Sequence, residues 1–106
     1  MAQHYFLLQK LLNHQTDLET KAANEPMNSE SYDSVMAEWG RFQAELDILQ
    51  RQIPWLAVHF KNGSLQAPDP RDPTLKGPAD AFAAYAIGGI IRGQKMAEIH
   101  AEFNEA

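Results

Sequence analysis

The chain has no cysteine, which excludes disulfides and thiolate metal sites and is compatible with a reducing compartment. It also lacks a surplus of positive charge. Its 9 Lys and Arg are outnumbered by 14 Asp and Glu, a formal net charge of -5, whereas a general nucleic-acid binder needs cations to displace counterions from phosphates. Long apolar runs are missing as well: the longest uncharged apolar-rich stretch, residues 81–91, is about half of the ~20 residues that a membrane span needs. The opening MAQHYFLLQKLLNHQ, interrupted by Gln3, His4, Gln9 and Lys10, has neither the basic start nor the unbroken apolar run of a signal peptide. These absences lead us to expect a cytoplasmic protein with no membrane association.

Chemistry-bearing patterns are scarce. His4, His14, His59 and His100 never pair at helical spacing, and no Glu-x-x-His occurs, so no metal site is expected. Without a strand-to-helix serine elbow or a glycine-rich phosphate loop, nothing favours a nucleophilic triad, a nucleotide cofactor or an enzyme. Asn62-Gly63-Ser64 formally matches a glycosylation acceptor and reads as a tight turn. The stretch APDPRDPT carries Asp69, Arg71 and Asp72 on what reads as a semi-rigid exposed spacer.

What the sequence does contain is helical periodicity. Leu7, Leu8, Leu11, Leu12, Leu18 and Ala22 share one side of a first helix over about 3–24, with Gln15 and Glu19 inside the stripe. Pro26 and a run of short polar residues then lead to an N-cap at Ser29 or Ser31. Val35, Trp39, Phe42, Leu46, Leu49 and Ile53 recur at spacings of three and four, the clearest stripe in the chain, and define a second helix over about 30–53. Pro54 must break it, leaving a short angled continuation to about residue 60. A Pro- and Gly-rich loop over 61–78 follows, and Gly77-Pro78 reads as the start of a third helix over about 78–103. The expectation is a single all-α domain over 1–106, an elongated bundle of three main helices.

Gly88, Gly89 and Gly93 interrupt that third helix, and each glycine in a helix interior costs about 1 kcal/mol relative to alanine. On a continuous helix Ala79, Ala83, Ala86, Gly93, Ala97 and Ala101 form a nearly side-chain-free stripe with Gly89 at its margin. Phe82, Tyr85, Met96, His100 and Phe103 stand on one flank. Close packing within the monomer explains such a notch, as does self-association at Gly89-xxx-Gly93 or the entry of a ligand.

Arg92 has only Gly88, Gly89, Lys95 and Met96 as helical neighbours, so its planar fork is available to an external carboxylate or phosphate. Pairing with Glu45 or Asp47 of the second helix is the plainer alternative. Trp55, just after Pro54, is either core or an exposed anchor for a partner. The expected function is a small protein–protein interaction module of the inhibitor, immunity or adaptor type. It would act on a protein partner and form a homodimer, without general nucleic-acid binding. The alternative is a small anionic ligand, such as a nucleotide or signalling metabolite, bound near Tyr85, Gly89, Arg92, Gly93 and His100.

Overall fold

The structure, a computed structural model, describes residues 3–78 and 80–105. Helix α1 (Gln3–Asn24) forms where leucines repeat at helical spacing, and it buries Leu7, Leu8, Leu11 and Leu18. Gln15, inside that stripe, is also buried; its Oε1 accepts from Gln43 Nε2 at 3.4 Å, so the polar group is not left unpaired. Ser29 caps α2 (Glu30–Gln52), its Oγ accepting from Tyr32 N–H at 3.1 Å. Glu30 and Asp33 in the first turn and Arg51 in the last suit the helix dipole. Phe42, Leu46 and Leu49 carry the buried face of α2.

Ile53 leaves the helical conformation (φ -121°, ψ 100°) because the ring of Pro54 crowds the residue before it. Pro54 then begins α3 (Pro54–Ala57), shorter than the continuation to residue 60 that the sequence suggests. The loop over 61–78 is not featureless. Strands β1 (Phe60–Lys61) and β2 (Ser64–Leu65) pair antiparallel, Phe60 opposite Leu65. Asn62 (φ 53°) and Gly63 (φ 75°) form the tight turn between them.

A 3-10 turn (Pro73–Leu75) follows, capped by Asp72 and burying Leu75. The His4 ring lies between the Thr74 carbonyl (3.2 Å from Nδ1) and the Pro78 carbonyl (3.0 Å from Nε2), stacked on Trp55 at 4.2 Å. The second half of the supposed spacer is thereby fastened to α1, while Asp69 and Arg71 stay exposed.

The third helix departs most from expectation. It starts not at Pro78 but after Asp80, whose carboxylate accepts from Ala83 N–H at 2.6 Å. It is two helices, α4 (Ala81–Ile91) and α5 (Met96–Glu105). Gly93 adopts φ +90° just past the C-cap Arg92. Gly93 N–H donates to Ile90 O at 3.0 Å and Gln94 N–H to Gly89 O at 3.0 Å, the paired bonds of a Schellman stop. The new helix start is capped from another element: Glu45 of α2 accepts from Met96 N–H at 3.1 Å. The small-residue stripe is divided by this break. Ala83 and Ala86 enter the core, Ala97 and Ala101 are exposed on α5, and Ala79 lies outside the described residues.

Helices α1, α2 and α4 pack around one core, and α5 folds back onto α4 and α2. The result is a flattened helical body of 43 × 36 × 22 Å, not the elongated three-helix bundle expected. No helix among the described residues is long and apolar enough to cross a membrane.

Candidate functional site

Most of the residues singled out by sequence hold the fold together. Gly89 is buried where α5 crosses α4: a Cβ there would stand 2.8 Å from Ile99 Cδ1 and 2.9 Å from Gln94 Oε1. The close approach it permits is therefore within the monomer. Gly93 serves as the helix stop and forms no notch with Gly89.

Tyr85 donates its hydroxyl to Glu102 Oε2 at 2.8 Å and lies 5.5 Å from the Phe103 ring. Gln94 Nε2 donates to both Glu102 oxygens at 3.0 Å. These bonds, that of Gln94 first and then that of Tyr85, hold the Glu102 carboxyl below the usual carboxylate range. Donation to that carboxylate raises the Tyr85 hydroxyl above its ordinary value. His100 stacks on Phe82 at 4.8 Å with Nε2 3.0 Å from Gln52 Oε1. Trp55 is half-buried against the core beneath His4.

Arg92 is different. At the C-cap of α4 it is exposed, and its tip curls over Gly88, where a Cβ would be 3.3 Å from Nη1. Nη2 donates to Gln94 Oε1 at 3.3 Å, and the charge reaches Glu102 only as a lesser influence. Neither α2 acid pairs with it. Glu45 caps α5, and Asp47 holds Arg51 at 2.6 Å. Among the described residues Arg92 has no carboxylate within salt-bridge distance.

An open groove of about 470 Å³ runs between α1 and the C-terminal half of α4. Lys10, Asn13, His14 and Asp17 line it from α1, and Gly88, Ile91 and Arg92 from α4. His14 and Ile91 also line a cavity of about 10 Å³ over Phe42, so they form the wall between the two. The half-buried His14 ring meets Phe42 edge-on at 4.8 Å. Burial pushes its pKa down against the opposing pull of Glu38 and Asp17, which keeps the imidazole neutral at pH 7.

Phe6, half exposed (50%), stands one turn before Lys10 on the same side of α1. On α4 the exposed Ala81 and Ala84 and the half-buried Gly88 follow one another at spacings of three and four. Lys10 and His14 escape notice in the sequence, where they look like solvated positions of an amphipathic helix. The test applied to Arg92 would have found Lys10, whose helical neighbours Phe6, Leu7, Asn13 and His14 include no carboxylate.

Within the described residues no group of three His, Asp or Glu side chains converges to hold a metal ion. The chain matches no protein-family model, no curated protein and no solved structure.

Proposed function

We propose that the protein is a small helical interaction module that binds a protein partner along the outer face of α4 and works as a homodimer. One observation carries this reading. Helix α4, AFAAYAIGGII, contains no charged residue on any side, yet Ala81 and Ala84 are exposed and Gly88 is only half-buried. A helix that is apolar all round belongs in an interior. Among the described residues this face is left bare at Ala81 and Ala84 and is met at Gly88 by the flexible Arg92 tip, and small residues let another helix backbone approach closely, as in helix-in-groove recognition.

The test adds bulk and polarity without a core change. The paired variant Ala81→Gln/Ala84→Gln alters exposed helix positions, where propensity differences are a few tenths of a kcal/mol each. Light scattering of the wild type is expected to give a multiple of the 11.9 kDa chain mass. The variant should give a lower mass at an unchanged melting temperature, and it should lose any protein that wild type captures stoichiometrically. A monomeric wild type, or a variant that still self-associates and still retains the captured protein, would count against the reading.

A further inference from the structure

We propose that the groove between α1 and α4 contains a binding site for a single oxyanion, a carboxylate or phosphate group, held by Lys10 and Arg92. The site does not depend on the partner-helix reading, since an anion can occupy it whether or not a helix covers α4.

On a chain of net charge -5, Lys10 and Arg92 line the same groove, and among the described residues neither has a carboxylate within salt-bridge distance. The C-terminal end of α4 favours a cation at position 92, but no helix end accounts for Lys10, in the interior of α1. Gly88 leaves the groove floor open, and the nearest atom to a side chain there would be the Arg92 tip itself. The guanidinium, whose one hydrogen bond among the described residues is 3.3 Å to Gln94, can trade that neutral acceptor for a charged one, and such bonds are roughly twice as strong. His14, neutral in the groove wall, can donate one ring N–H to the same anion.

Asp17 limits what fits. It lines the groove on the same side of α1 as Lys10 and repels a second negative group. The site thus selects a compact anion over an extended polyanion. That anion comes either on a free small molecule or as an acidic side chain of a bound helix.

The experiment follows backbone amide shifts of the full chain during titration with inorganic phosphate, with acetate, and with a capped alanine-rich helical peptide carrying one glutamate. Chloride holds ionic strength constant, and the glutamine twin of the peptide is the control. Saturable shifts at Lys10, His14, Gly88 and Arg92 with phosphate or acetate support a free-anion site. Shifts with the glutamate peptide alone, absent with its glutamine twin, support an anion delivered by a partner. In either case Lys10→Gln and Arg92→Gln, singly and together, should weaken binding roughly tenfold or more. Because the singles are measured too, a double variant that fails to fold does not block the test. The Ala81→Gln/Ala84→Gln variant should keep the phosphate or acetate response even if it loses partner binding, so the two readings fail separately. No localised shifts with any of the three probes, or shifts of equal strength in the charge-neutralised variants, would overturn the site.

Discussion

At the scale of the residue, three glycines close together in sequence have three different physical reasons to be there. Gly89 is a matter of space, because a methyl at that position would press into Ile99 at 2.8 Å. Gly93 is a matter of backbone, since φ +90° disfavours any L side chain by roughly 1–2 kcal/mol. Gly88 is limited only by the flexible tip of Arg92 at 3.3 Å. Gly88→Ala should therefore stabilise by somewhat under 1 kcal/mol through the unfolded chain, while Gly89→Ala should cost roughly 1–3 kcal/mol by overpacking. Gly93→Ala should lose about 1–2 kcal/mol. Asparagine separates the last two mechanisms. It tolerates a left-handed backbone, so Gly93→Asn should be milder than Gly93→Ala, while at position 89 the larger side chain should be worse than alanine. Chemical denaturation of the five variants checks the order, and asparagine milder than alanine at position 89 would show that space is not what Gly89 supplies.

At the scale of the element, what was legible in the sequence was what periodicity and proline encode. The leucine stripe marks α1 to its last residue, the stripe from Val35 to Ile53 marks α2 to within one residue, and Pro54 marks the restart. The turn at Asn62-Gly63 was readable too. Its two-residue strands were not, because so short a segment shows no alternation. The break between α4 and α5 was obscured for a definite reason: Met96 and Ile99 continue an apolar pattern across it. Signals were nonetheless present, with a basic residue at position 92 and a glycine directly after it. Of the candidate site, Arg92 and Gly88, and by the same absence of acidic helical neighbours Lys10, could be read in advance. The α1 wall depends on how two distant helices pack.

The same break yields a prediction. Because the first turn of α5 has an orphan N–H met by the Glu45 carboxylate at 3.1 Å, Glu45→Ala should destabilise by about 1 kcal/mol, the usual cost of losing such a cap. Hydrogen exchange should quicken at Met96 while α1 keeps its protection, and Glu45→Gln, which retains an acceptor, should lie between the two. Unchanged exchange at Met96 in Glu45→Ala would remove the cap from the account.

At the scale of the whole molecule, acid sensitivity is where the separate sites add together, and the signs can be worked out in advance. His14 is buried enough that its folded pKa lies below the ordinary 6.5. Protonation therefore favours the unfolded chain, and the stability this group contributes is full above pH 6.5 and is lost as the pH falls through the depressed folded value. Asp72, held down by the backbone N–H and then the hydroxyl of Thr74, and Glu102, held down by Gln94 and then Tyr85, follow the same sign in a lower window. Their contributions are complete above the ordinary 3.8 and 4.5 and fade as the pH drops through their folded values. Glu102 is exposed and Asp72 only partly buried, so solvent screening keeps that second loss small. Stability against urea should thus fall in two stages on acidification. His14→Gln should flatten the first stage and leave the second in place, because no charge then has to enter the wall between the groove and the Phe42 cavity. If the urea midpoint of His14→Gln fell between pH 7 and pH 5 as steeply as that of wild type, the first stage would belong to another group.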